Sequence, residues 1–89
     1  MNKQGWYVSY SSHLDELGKL AQGWDSYGSD PPSETAIQNA HGILNILSLI
    51  SKPPSRIAPL ADGGVIIWFN EEGSVECSNN GRITIEARS

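Results

Sequence analysis

The residues of this sequence that are best suited to chemistry lie in one short stretch, GWDSYGSDPP, at positions 23–32. Trp24 and Tyr27 could form an aromatic platform, with Asp25 and Asp30 recognising a cationic or hydroxyl group beside it. The same residues also suit a bend, in which Asp25 accepts backbone N–H groups and Trp24 packs beneath the helices. The bend is the favoured interpretation, and we expect Asp25, Tyr27 and Asp30 to be the loop residues that contact a partner.

The other groups capable of chemistry are scattered along the chain. His13 and His41 fall on different predicted helices, and neither has the partner at i, i+4 that a helical metal pair requires. The two histidines could form a metal or nucleophile site with Asp15 or Cys77 only if the fold happened to bring these residues together. Cys77 is the single cysteine, which excludes an internal disulfide, and the adjacent Glu76 is expected to raise the pKa of its thiol. We therefore predict a protein that is not an enzyme and has no metal site and no cofactor.

The C-terminal half of the chain carries several carboxylates. Glu71, Glu72 and Glu76 lie in and around one predicted hairpin, while Asp62 and Glu86 lie elsewhere among the strands. Glycoside hydrolysis needs two carboxyl groups fixed across a cleft, and nothing in this spacing fixes such a pair. Two interpretations stay open: solvated turns, or an acidic patch of Glu71, Glu72 and Glu76 that binds a basic partner.

Size and charge restrict the classes of function. The chain has 89 residues, which suits one domain over residues 1–89 with a modest core. Asp and Glu outnumber Lys and Arg by 10 to 6, and the formal charge is −4. Nucleic-acid binding needs a basic footprint, so we predict none and expect a protein partner with a basic surface. The absence of a signal peptide and of a long apolar run favours a cytoplasmic protein that binds no membrane.

A first helix is expected at about residues 12–22. Ser11 or Ser12 can serve as its N-cap, with Asp15 three residues after Ser12 as in a capping box. Gly23 is a favoured terminator. The preceding WYVSY could be a short strand or a helical turn. The apolar residues at helical spacing are Leu14, Leu17, Leu20 and Ala21.

A second, stronger helical pattern covers about residues 33–51. Ser33 is the predicted N-cap, and Glu34 lies in the first turn near the positive end of the helix dipole. Lys52 suits the negative end of the helix dipole, and the two prolines after it prevent the helix from continuing. Gly42 in the middle predicts the close approach of another backbone. The apolar stripe consists of Ala36, Ile37, Ala40, Ile43, Leu44, Leu47 and Ile50.

From Arg56 onward the apolar residues follow the pattern of short β-strands. Runs at about residues 56–60, 65–69, 74–78 and 82–87 are separated by the turn sequences ADGG, NEEG and NNG. Pro59 lacks a donor and predicts an edge strand, whereas the wholly apolar VIIWF predicts a central one. Ile83 and Ile85 alternate with polar residues and should point inward. Together the elements predict an α+β two-layer sandwich, with two helices on one face of a three- or four-stranded antiparallel β-meander.

Two segments, GWDSYGSDPPSETAIQNA and PSRIAPLADGGVIIWF, together resemble a group of short uncharacterised bacterial and phage proteins. Those proteins have a Trp-Asp-x-Tyr-Gly loop, then proline, a helix, a second proline, a DGG hairpin and an apolar strand ending in Trp. The resemblance covers about Leu20 to Phe69 and implies no activity and no catalytic residue. It rests on Trp24, Asp25, Tyr27, Gly28, Pro32, Ala36, Ala40, Pro59, Asp62, Gly63, Gly64 and Trp68. Among these, the structural roles are assigned to Trp24, Gly28, Asp62, Gly63, Gly64 and Trp68.

The function favoured by the sequence is a protein–protein interaction module. A small acidic domain of bacteria or phage suits an inhibitor such as an antitoxin, an immunity protein or a phage-encoded anti-defence protein of the anti-CRISPR type. Such a protein would act in the cytoplasm of a bacterium or of an infected host. The alternative is a small-ligand binder or minor enzyme with a pocket lined by Trp24, Tyr27 and Trp68. A third hypothesis is a homodimer formed through the Pro59 edge or an uncovered face of VIIWF.

Overall fold

The protein is described by a computed structural model that covers residues 5–24, 28–69 and 72–87. These residues form α1 (Gly5–Leu17), α2 (Glu34–Leu49), β1 (Arg56–Pro59), β2 (Val65–Trp68), β3 (Gly73–Cys77) and β4 (Ile83–Ala87). The strands form one antiparallel sheet in the order β1-β2-β3-β4. The helix α1 packs against α2 and β1, and α2 packs over β2 and β3. The predicted two-layer α+β fold is confirmed.

The helix α1 begins and ends earlier than expected. The prediction of an N-cap at Ser11 or Ser12 is wrong, because both residues lie within the helix. WYVSY forms the first turns of α1, since its aromatic residues extend the apolar stripe and are partly buried against the core. The helix stops before Gly18, whereas the expected terminator, Gly23, has a φ of 77° in the following loop.

The helix α2 is capped at its start as predicted. Ser33 has an extended backbone, and its Oγ accepts the Ala36 N–H at 3.0 Å. At the other end Ser51 has a φ of 55°, and the Lys52 N–H donates to the Leu47 carbonyl at 2.9 Å, as in a Schellman motif. The expected backbone approach at Gly42 is wrong, because a Cβ placed there would have no atom within 4 Å.

The core lies between the helices and the sheet. The strand bounds match the expected ones to within one residue, with β1 at an edge and β2 central as predicted. Along β2, Val65 and Ile67 are buried while Ile66 and Trp68 are half-buried on the opposite face. The buried apolar residues are Leu14, Leu17, Ala36, Ala40, Leu44, Leu47, Ile57, Val65, Ile67, Val75 and Cys77.

The strand β4 departs from the expectation. Ile83 and Ile85 are in register with Cys77 and Val75, so they lie on the helix side of the sheet. Both are nevertheless exposed, because the described helices extend only as far as β3. The prediction that these two isoleucines point into the core is therefore right about the face and wrong about the burial.

Candidate interaction surface

The loop between α1 and α2 is closed by its own hydrogen bonds. The Gly23 N–H donates to the Ser29 carbonyl and the Trp24 indole N–H donates to the Asp30 carbonyl, both at 2.8 Å. Gly28 has a φ of 81°, a left-handed conformation that favours glycine. Trp24 is half-buried and uses its nitrogen to close the bend. This geometry supports the structural interpretation of Trp24 and Gly28.

The loop docks on the turn between β1 and β2. The Asp30 N–H donates to the Ala61 carbonyl at 2.9 Å, and the Ser33 N–H donates to the Gly63 carbonyl at 2.8 Å. The turn itself is an Asx-type hairpin turn, in which the Asp62 Oδ1 accepts the Gly64 N–H at 3.1 Å. A Cβ added to Gly64 would lie 2.8 Å from the Cys77 carbonyl oxygen, so this position has room only for glycine.

Asn79, in the turn between β3 and β4, completes this junction. Its side-chain amide donates to the Asp62 carbonyl at 2.7 Å, and its own carbonyl accepts the Ser33 hydroxyl at 3.0 Å. A single residue therefore joins the start of α2 to two turns of the sheet. Asn79 was not singled out from the sequence, because its NNG context indicates only a turn.

The partner residues expected from the sequence do not form one patch. Asp30 lies beside the β1-β2 turn, whereas Glu72 lies in the β2-β3 turn at the opposite end of the sheet. The Glu72 carboxylate is 2.6 Å from the Lys52 ammonium. Glu76 is half-buried in β3, on the face away from the helices. Three expected residues lie outside the described residues: Asp25, Tyr27 and Glu71.

The expected aromatic pocket between Trp24 and Trp68 is also not formed. Trp24 belongs to the loop that docks on the turn before β2, and Trp68 is the last residue of β2. A strand rises about 3.3 Å per residue, so Trp68 lies about 10 Å along β2 from Val65 at that turn. Trp68 also lies on the face of the sheet away from the helices, so the described residues give no support to a pocket shared by Trp24, Tyr27 and Trp68.

One end of the molecule is nevertheless rich in carboxylates. The end of α1, the start of α2, the interhelical loop and the β1-β2 turn meet there. Lys19 lies among these groups, and its ammonium is 4.0 Å from the Glu16 carboxylate in an exposed pair of small energetic value. The exposed acids of this region, which we call the acid-rich end, are Asp15, Glu16, Asp30, Glu34 and Asp62.

His41 connects α2 to α1 through two polar contacts. Its Nε2 lies 3.1 Å from the Asp15 Oδ1, and its Nδ1 lies 3.5 Å from the Ser11 Oγ. The order Ser, His, Asp is that of a hydrolytic triad, but 3.5 Å is long for such a hydrogen bond. Ser11 also lies inside α1, where the neighbouring N–H groups are used by the helix and cannot stabilise an oxyanion. The arrangement therefore serves to hold the two helices together.

Cys77 is a core residue. Its side chain is buried beneath α2, and burial, with a smaller contribution from Glu76, raises the pKa of its thiol to about 11. The direction expected from Glu76 is confirmed, although burial is the larger cause. The thiol is thus protonated at neutral pH and is a poor nucleophile.

An uncovered apolar area combines β4 with the adjacent side of α2. Its four residues, which we call the β4–α2 surface, have the following exposed fractions: Ile83 42%, Ile85 72%, Ile46 55% and Ile50 60%. Exposed aliphatic residues on neighbouring elements are typical of interaction sites in small domains.

Two observations place the helical part of this surface beside β4. The Asn39 side chain donates to the Gly81 carbonyl at 3.4 Å, which identifies the side of α2 that faces the β3-β4 turn. Ile46 and Ile50 follow Asn39 at i+7 and i+11, on that same side. Helical and strand rises put Ile46 about 11 Å and Ile85 about 13 Å beyond the level of Gly81. Ile46 and Ile85 therefore lie at similar heights on neighbouring elements.

The two edges of the sheet differ in how they are protected. At β1, Pro59 has no N–H to offer, and the Ile57 carbonyl is 3.1 Å from the His13 Nε2 of α1. At β4 no other described strand pairs with the outer edge, and Ile83 and Ile85 are exposed beside it. Natural proteins blunt their strand edges, so the protected edge is β1 and the edge open to pairing is β4.

Within the described ranges, no group of three or more His, Cys, Asp or Glu side chains could hold a metal ion. Among the same residues no helix has the length and apolar character needed to cross a membrane. Comparisons of the chain with protein-family models, with curated proteins and with solved structures give no match, so the resemblance to short bacterial and phage proteins stays a prediction.

Proposed function

We propose that the chain is a non-enzymatic protein–protein interaction module that binds protein through the β4–α2 surface. The observation that carries this proposal is the position of four exposed aliphatic side chains, Ile46, Ile50, Ile83 and Ile85, next to an unprotected strand edge. A strand edge offers main-chain N–H and C=O groups to an added strand, while neighbouring apolar side chains provide buried area. Pro59 and His13 protect the edge at β1. Of the two edges of the described sheet, β4 is therefore the one that can accept an added strand.

The test compares two matched substitutions of exposed apolar residues. Ile85→Lys places a charge on the β4–α2 surface, whereas Val8→Lys places the same charge on α1, where Val8 is also exposed. Fluorescently labelled chain is presented to unlabelled chain and to fractionated extract, and complex formation is followed by anisotropy. We expect Ile85→Lys to abolish binding and Val8→Lys to preserve it. Equal binding by both variants would contradict the proposal.

A finer form of the proposal is that the module is a small acidic inhibitor of a partner with a basic surface. The acid-rich end supports this form, because exposed acids of four segments of the chain lie at that end, where the described basic side chains are Lys19 and Arg82. Opposite charges across an interface accelerate association and make it sensitive to salt. Asp25 and Tyr27 lie outside the described residues but are close to Asp30 in sequence, so they are included in the proposed contact together with Asp30.

For this finer form, binding to a basic partner should weaken as salt rises. Asp30→Asn should slow association, whereas Glu72→Gln, at the opposite end of the sheet, is the control that removes one carboxylate elsewhere. A larger effect of Glu72→Gln would instead favour the Glu71, Glu72 and Glu76 site expected from the sequence. Association rates independent of salt would contradict an electrostatic contact at either end.

A further inference from the structure

We infer that the occupant of the β4–α2 surface is a second copy of this chain, joined by antiparallel pairing of the two β4 strands about a two-fold axis at Thr84. This inference rests on the proposed role of the β4–α2 surface and names its partner. The pairing would convert two four-stranded sheets into one continuous sheet of twice the width.

The main-chain hydrogen bonds of β4 permit this pairing. The Ser78 N–H donates to the Arg82 carbonyl at 2.8 Å, so Arg82 directs its main-chain groups toward β3. Because main-chain groups alternate in direction along a strand, the N–H and C=O groups of Thr84 and Glu86 also point toward β3. Those of Ile83 and Ile85 point toward the open edge. With the axis at Thr84, Ile83 faces the partner's Ile85, and each such pair exchanges two hydrogen bonds.

Charge selects this register from the others that the main chain allows. Arg82 and Glu86 are both exposed and lie on the face away from the helices, together with Thr84. They are four residues apart on one strand, a separation of about 13 Å, so they cannot form an ion pair within the chain. With the axis at Thr84, each Arg82 stands opposite the partner's Glu86, and the two threonines stand opposite each other. Axes at Ile83 or Ile85 lose both ion pairs.

The apolar side chains agree with the same register. On the helix side, Ile83 stands beside the partner's Ile85 at two symmetry-related positions, which brings four isoleucines together. Ile46 of each copy lies at the level of Ile85 and flanks this cluster. One self-complementary strand thus supplies matching hydrogen bonds, charges and apolar contacts, as an isologous interface requires.

The experiment measures molar mass by light scattering or sedimentation over roughly a hundredfold range of protein concentration, since self-association follows mass action. The wild-type chain should move from 9.7 kDa toward twice that mass. Arg82→Glu and Glu86→Arg each place like charges opposite each other, and each should raise the dimer dissociation constant by roughly tenfold or more. Arg56→Glu, which changes the net charge by the same amount as Arg82→Glu but lies on β1, is the matched control for that variant and should dimerise like the wild type.

Mixing the two single variants gives the decisive outcome. In a mixed dimer every charge on one β4 stands opposite an unlike charge on the other, so an equimolar mixture should associate at a concentration at which each variant alone is mostly monomeric. Circular dichroism checks that both variants fold, as expected from the exposed positions of the two side chains. A wild-type chain that stays monomeric throughout, or a mixture that fails to associate, would overturn the inference. If the monomeric wild type binds another protein and Ile85→Lys does not, self-pairing fails while the proposed function stands; if nothing binds, both fail.

Discussion

Raising the pH above 9 should destabilise the protein through one buried thiol. Burial, with a smaller contribution from Glu76, raises the pKa of Cys77 from 9.0 to about 11. The folded state then keeps a proton that the unfolded state releases, so stability from the neutral thiol is fully present below pH 9 and is lost as the pH rises through 11. A pKa difference of about 2 between the folded and unfolded states, at about 1.4 kcal/mol per pKa unit, corresponds to a loss of about 2 to 3 kcal/mol in the free energy of unfolding.

The assay is urea unfolding under reducing conditions at several pH values between 8 and 11, compared with a Cys77→Ala variant. The variant lacks the thiol but retains every lysine and tyrosine, so the difference between the two pH profiles isolates Cys77. Its smaller side chain lowers the baseline stability, and for that reason the slopes are compared rather than the absolute values. The wild type should lose about 2 to 3 kcal/mol more than the variant across this interval. Parallel profiles would refute the reasoning.

Three further substitutions test the fold that positions the surface, each by its free energy of unfolding. Gly42→Ala should stabilise the protein by about 1 kcal/mol, because the new methyl group enters open space within α2, and a loss would mean that this side of α2 is occupied. Gly73→Ala should cost about 2 kcal/mol or more, since Gly73 has a φ of 125° and its Cβ would collide with the Glu86 carbonyl; an unchanged stability would contradict the β3-β4 register. Ser33→Ala should cost about 1 to 2 kcal/mol, whereas Ser12→Ala inside α1 should change little, and the reverse order would contradict the helix boundaries.

The sequence predicts α2 well because its signals are local. Ser33 has the N-cap conformation expected of it, and a wide apolar stripe faces the core. The bounds of α1 were harder to predict, because the Ser11-Ser12 pair looks like an N-cap and Gly23 looks like a terminator. Tertiary packing decides between them: the aromatic residues before Ser11 are partly buried, which makes an earlier helix start favourable.

The candidate surface could be predicted only in part. Alternation identifies the face on which Ile83 and Ile85 lie, but it carries no information about how far the helix layer extends. That extent is set by the packing of α1 over β1 and of α2 over β2 and β3, which leaves β4 uncovered. The turn sequence ADGG was identified from its residues, whereas the role of Asn79 depends on three segments meeting in space.

The most direct test of the central claim is amide hydrogen exchange along β4. In the free chain the Thr84 and Glu86 N–H groups face β3 and should exchange slowly, whereas those of Ile83 and Ile85 face the open edge and should exchange quickly. When the chain binds itself or another protein, we predict that the Ile83 and Ile85 amides become protected as well, which would remove the alternation. Formation of a complex in which these two amides still exchange at the rate of the free chain would contradict the β4–α2 surface as the binding site.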